Sequence, residues 1–198
     1  MCQSSNADLM KRLLFLLLFS LTVSAYGQVV NFAKTLPERA WSVGLTPAYH
    51  VDRNVILFDA GGASFALNGG YGLLYSLDVN ARYVYFLNGA DYIGIDIQYL
   101  IHEARKSYFS AIGGLHKWDQ FGMDLTGLFT YMPRYEINLS IGLDLDLSFA
   151  SEMNPRIWVP LNVGINLNER FFLFAEYNLP VTERAWDIVA LGVNVVLR

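Results

Sequence analysis

Residues 135–150, YEINLSIGLDLDLSFA, carry an apolar side chain at every odd position and a polar or small one at every even position. Such period-two alternation is the pattern of a strand with two unlike faces. One face holds Ile137 through Leu147, and the other holds Glu136, Asp144 and Asp146. A stretch of this length is roughly three times an ordinary soluble strand of about five or six residues.

The alternation continues through most of the chain after Trp41. It spans 41–51, 71–87, 93–101, 121–133, 156–168 and, less regularly, 107–118, 170–180 and 185–197. A weaker segment, 55–67, changes phase at Gly61-Gly62, where a glycine pair fits a bulge. The connections are short and carry turn chemistry: Asp52-Arg53-Asn54, Asn68-Gly69-Gly70, Asn88-Gly89-Ala90-Asp91, Pro133-Arg134, Asn168-Glu169-Arg170 and Pro180 to Arg184. Loops this short join antiparallel hairpins, because parallel strands need a crossover of a dozen residues. No segment has a helical period. The chain therefore reads as an all-β meander of eight to ten strands, and the segment count favours ten.

Strand length and sidedness choose between water and lipid. At ~3.3 Å per residue and a tilt near 45°, the longer segments rise about 25–35 Å, the thickness of a bilayer's hydrocarbon core. A soluble sheet shows many exposed charges and much lysine. Here only Lys34, Lys106 and Lys117 follow the N-terminal apolar run. The polar face is mainly Gly, Ser, Asn, Thr and Asp, which suits a crowded lumen, whereas Leu, Ile, Val, Tyr and Phe suit lipid. The aromatics Trp41, Tyr71, Tyr85, Tyr131, Tyr135, Phe149, Trp158, Tyr177 and Trp186 fall near strand ends, as interfacial girdles do. The expected fold is a closed antiparallel up-and-down transmembrane β-barrel. The soluble alternative, an exported β-sandwich or lipocalin-like binding protein, would turn the odd apolar positions inward.

The N-terminus carries an export signal. Lys11 and Arg12 form a basic region, Leu13 to Val23 a short apolar core, and Ala25-Tyr26-Gly27 a cleavage site before Gln28. The expected organisation is a signal peptide at 1–27, with Met10 as a second candidate start, a periplasmic segment at 28–40 and a barrel at 41–198. The only cysteine, Cys2, falls in the discarded part, so neither a disulfide framework nor thiol chemistry is expected. Cleavage leaves 12 basic against 17 acidic residues, a balance unsuited to nucleic acid.

The phrase IWVPLNVGINLNERFFLFAEYNL (157–179) and the final LGVNVVLR resemble the penultimate hairpin and closing strand of the small OmpA-like and OmpX-like outer-membrane barrels of Gram-negative bacteria. The resemblance covers 41–198. It implies a location in the bacterial outer membrane, contact with its lipids and lipopolysaccharide, insertion by the outer-membrane assembly machinery, and a monomer. Two departures stand out: Arg198 replaces the usual terminal aromatic, and the family's long extracellular loops are missing.

No motif joins His50, His102 or His116 to a nucleophile, so no catalytic residue is expected. His102 and His116, on either side of 103–107, are expected at one end of the barrel. The polar positions Asp78, Arg82, Asp96, Asp124, Glu136, Asp144, Asp146 and Glu176, with Asp187, are expected to line the lumen. They suggest either a cation-preferring pore lining or, more simply, a packed plug, because eight to ten strands leave an interior nearly filled by side chains. Asp144 and Asp146 alone make a weak metal site, and neither a metal nor another cofactor is expected. The functional expectation is an outer-membrane protein with a structural or undefined surface role. A narrow channel for ions or small solutes is the alternative.

Overall fold

The computed structural model describes residues 32–51, 62–87, 91–118, 120–149, 155–183 and 185–198. The expected signal peptide, Cys2 and the turns at 52–54 and 88–90 lie outside these residues. Ten strands follow one another: β1 (Trp41–Val51), β2 (Ala63–Leu74), β3 (Leu77–Phe86), β4 (Tyr92–Ala104), β5 (Ser107–Trp118), β6 (Gln120–Arg134), β7 (Ile137–Ser148), β8 (Arg156–Asn166), β9 (Phe171–Pro180) and β10 (Asp187–Leu197). Each pairs antiparallel with its sequence neighbours. β1 then pairs with β10, from Trp41 opposite Leu197 to Val51 opposite Asp187, and the sheet closes. Closure leaves no edge strand, the condition for a sheet to stand in lipid.

One rule of parity runs round the wall. Away from the register shifts beside three of the tight turns, partnered residues are both even or both odd, as in Ser64 with Phe86, Asn80 with Asp96, Asp124 with Asp146 and Asn162 with Glu176; beyond the shifts parity breaks, as in Leu74 with Leu77, His102 with Phe109 and Arg134 with Ile137. Directly opposed residues share a face, so the same parity is carried from strand to strand. Even positions point into the lumen up to the register shifts, beyond which Leu74, His102, Ala104 and Arg134 are exposed. Among the described residues, every buried strand position is even except Ala63 and Asp187 at strand ends, and every exposed large hydrophobic is odd except Leu74. Ile95 is 60% exposed and Leu143 56%. An outer surface of Ile, Leu and Val over the whole wall suits lipid and not water. The soluble alternative is excluded by this orientation.

Aromatics flank the apolar band. Trp41, Tyr99, Tyr131 and Phe171 are exposed toward the end that carries the tight turns, and Phe65, Tyr85, Phe121 and Phe149 toward the other end. Two residues expected in these girdles are not there. Trp158 and Trp186 are even-numbered and turn inward, and the Trp158 indole donates to the Trp186 carbonyl at 3.0 Å.

The expected strand 71–87 is in fact two. Tyr75 and Ser76 form a turn between β2 and β3, and the glycines expected to turn at 68–70 stand inside β2. The cause lies inside the barrel. A Cβ on Gly70 would come within 2.5 Å of Ser42 Oγ and 2.6 Å of Asn80 Oδ1, and one on Gly72 within 2.3 Å of the Pro37 carbonyl oxygen. These glycines make room for the chain that precedes β1.

Of that chain, read from the sequence as a periplasmic segment ahead of the barrel domain, Phe32–Leu36 lie in the lumen. Ala33 N donates to Thr130 Oγ1 (3.0 Å), Ser110 donates to the Ala33 carbonyl, and Gln98 Nε2 donates to the Phe32 carbonyl (2.6 Å). Leu36 N donates to Asp78 Oδ2 at 2.7 Å, and Thr35 Oγ1 to the Tyr75 carbonyl at 2.7 Å. On the opposite wall the Phe32 ring meets Phe172 edge-on, with centroids 4.2 Å apart. Contacts with β3, β4, β5, β6 and β9 carry the segment across the bore. Pro37–Ala40 then turn it into the wall: Ala40 N donates to Pro37 O (3.0 Å), with Arg39 at a φ of 63°. That position favours glycine. Arg39 N donates to Gly72 O and Gly72 N to Ala40 O, which hold the turn in place. Gly72→Val should therefore dislodge the turn and lower stability by about 1–3 kcal/mol, the usual cost of overpacking. Urea unfolding of the vesicle-inserted chain measures it.

Candidate functional site

Above the inserted segment, toward the looped end, the even positions build a buried layer of charge. Asp96 and Arg82 face each other across β3 and β4, with Nη2 to Oδ2 at 3.5 Å, and Arg82 Nε donates to Asn68 Oδ1 at 3.2 Å. His116 of β5 stands between two carboxylates, with Nδ1 3.1 Å from Asp124 Oδ2 and Nε2 3.6 Å from Asp146 Oδ1. Asp124 and Asp146 are register partners on β6 and β7, and Tyr92 donates its hydroxyl to Asp124 Oδ2 at 2.9 Å. The same tyrosine ring stacks on His116 at 5.2 Å between centroids. Thr126 donates to its partner Asp144. Glu176 accepts from Asn162 (3.1 Å) and Asn178 (2.7 Å). Unpaired charges in so dry a space would be costly, so these groups are arranged as acceptors beside donors.

A third level closes the looped end. Arg156 lies 3.8 Å from Asp146 Oδ2, and its guanidinium covers the Trp118 ring at 4.4 Å and the Trp186 ring at 5.3 Å. Trp186 meets Trp118 and Trp158 edge-on and stacks on His50 at 5.1 Å. The arrangement is a cation–π stack of the kind arginine favours.

Seven of the eight residues expected to line the lumen are buried on the even face: Asp78, Arg82, Asp96, Asp124, Asp144, Asp146 and Glu176. Glu136 is elsewhere. β6 runs on to Arg134 through a register shift, so Tyr135 and Glu136 become the turn and Glu136 is exposed. Asp187 sits at the start of β10 and accepts from the Tyr177 hydroxyl. The two histidines expected together are apart. His102 pairs with Phe109 beside the tight turn and is exposed, whereas His116 pairs with Gly94 and is buried toward the other end. The even numbering of His116, Trp118, Arg156 and Trp186 was the sequence signal for their place in the lumen.

Closure, an apolar outer wall and a polar filled lumen define a transmembrane β-barrel, and the fold is that of the small bacterial outer-membrane barrels. It is similar to the KdgM porin, with 8% identity, 79% of this chain and 99% of that chain covered, and a TM-score of 0.54. It is also similar to the N-terminal β-barrel domain of Pseudomonas aeruginosa OprF (10% identity, 81% of this chain and 98% of that chain, TM-score 0.42). A further similar structure is Ail, the attachment invasion locus protein of Yersinia pestis (13% identity, 81% and 100%, TM-score 0.33). At these identities the likeness is one of fold. No protein-family model and no curated protein matches the chain.

Proposed function

We propose that this chain is a protein of the bacterial outer membrane whose lumen is closed at rest, with a structural or surface role and no catalysis. The observation that carries this reading is the segment Phe32–Leu36, hydrogen-bonded across the bore by Gln98, Ser110, Thr130 and Asp78. In outer-membrane barrels the short turns face the periplasm. The Tyr75-Ser76, Arg105-Lys106 and Tyr135-Glu136 turns, and the inserted segment, then belong to the periplasmic side. The outer wall contacts lipid and lipopolysaccharide, the assembly machinery inserts it, and it stands as a monomer.

A second reading has an observation in its favour. Six lumen carboxylates, Asp78, Asp96, Asp124, Asp144, Asp146 and Glu176, outnumber the two arginines Arg82 and Arg156. A lining of that sign would select cations once hydrated. Planar-bilayer recordings separate the two. The closed barrel predicts a flat trace from the folded full-length chain, and steady cation-selective steps from that same chain would establish the channel instead.

A further inference from the structure

We infer that His116, Asp124 and Asp146 form a binding site for one divalent transition-metal cation of the zinc class, buried in the lumen between β5, β6 and β7. One ligand atom from each residue lies within 4.8 Å of the others. His116 is 4% exposed, and its Nδ1 faces Asp124 Oδ2 at 3.1 Å, an ion pair only while the ring carries its second proton; a neutral ring leaves that nitrogen without a hydrogen bond. Nε2 is 3.6 Å from Asp146 Oδ1, too long for a hydrogen bond. The two ring nitrogens diverge, so a single cation takes one of them: at Nδ1 it stands between the imidazole and Asp124 Oδ2, in place of the proton that otherwise pairs the two, and draws on Asp146 as its third ligand.

The surroundings hold the donors as a metal's outer ligands do. Tyr92 fixes Asp124 Oδ2 through its hydroxyl and the His116 ring through stacking. Arg156 stands by Asp146 Oδ2, leaving Oδ1 turned to His116. Gly122 opens the space beside the ring, because a Cβ there would come within 2.4 Å of His116 Nε2. Such outer contacts orient ligands and tune affinity. One imidazole nitrogen with two carboxylate oxygens suits zinc, and calcium prefers an all-oxygen set of six or more ligands.

The test is titration calorimetry of the chelator-stripped, full mature chain folded in detergent, with zinc chloride and then calcium chloride as probes. The site predicts one zinc per chain and far weaker calcium. His116→Gln and Asp124→Asn should each lower zinc affinity about 100-fold, and Tyr92→Phe about 10-fold, in the range that supporting residues reach. Asp78→Asn, a lumen acid outside the triad, should bind as the native chain does. Equal zinc binding by His116→Gln, an equal loss in Asp78→Asn, or calcium bound as tightly as zinc would overturn the site. Should either ligand variant fail the heat-modifiable mobility test for folding, cobalt on the native chain decides. A visible spectrum changed from that of free aqueous cobalt supports the site, and an unchanged one overturns it. A flat bilayer trace is independent of these outcomes, so failure of the site leaves the closed-barrel reading standing.

Discussion

Deleting residues 28–36 should turn a silent barrel into one that passes small, flickering, cation-preferring currents. The deletion takes away the backbone that crosses the bore and strips partners from Gln98, Ser110, Thr130 and Asp78. It also withdraws Phe32 from Phe172 and Phe174, and Ala33 from the cluster of Leu100, Tyr108, Ile112 and Leu128. Polar groups freed in this way hydrate, because an unsatisfied buried donor or acceptor costs about 1–3 kcal/mol. Water then reaches a wall with more carboxylates than cations, which sets the selectivity. The remaining constriction is side-chain only, Arg156 over Trp118 and Trp186, so openings should be intermittent. Bilayer recordings of deletion and native chains side by side provide the measurement. A deletion variant that folds and stays silent would place the seal in the charged layer and the tryptophan cap.

The second large effect is energetic. Arg82→Ala should destabilise the barrel by about 3–5 kcal/mol, because it leaves the carboxylate of Asp96 in a dry interior with its cation removed. Both side chains are almost wholly buried, and the arginine also serves Asn68. The double replacement Arg82→Met with Asp96→Leu should recover most of that loss, since a buried ion pair exchanged for apolar groups of similar volume is often neutral. Urea unfolding of the vesicle-inserted variants gives both values. Arg82→Ala within about 0.5 kcal/mol of native, the range of an ordinary surface substitution, would mean that water already solvates Asp96.

Much of this architecture was legible in the sequence because a barrel wall is written at period two. Ile137 through Leu147 against Asp144 and Asp146 gives facing and strand type without any knowledge of neighbours. Asp78, Asp96, Asp124, Asp144, Asp146 and Glu176 came out on the expected face for the same reason, and Glu136 did not because it fell in a turn. What the alternation could not supply was the break at Tyr75-Ser76, since Tyr75 is no turn former, Ser76 is a weak one and parity continues across a two-residue turn. Gly69-Gly70 carried the stronger turn signal, yet Gly70 and Gly72 serve the close approach of Leu36 and Pro37. Nor could local pattern place Phe32–Leu36 in the bore, because its hydrogen-bond partners lie 40 to 97 residues away in the chain. The His116 cluster depended on the register of three strands, and spacing along the chain put that histidine with His102 instead.

Whether odd positions face lipid and even positions a filled lumen is tested most directly by spin-label scanning of 139–147. Cys2 is the one cysteine of the sequence, so in a chain with Cys2 replaced single cysteines can be placed and labelled one at a time in vesicles. Collision with membrane-dissolved oxygen should rise at 139, 141, 143, 145 and 147 and fall at 140, 142, 144 and 146. Oxygen access that is low at the odd positions, or without a period of two, would contradict that orientation.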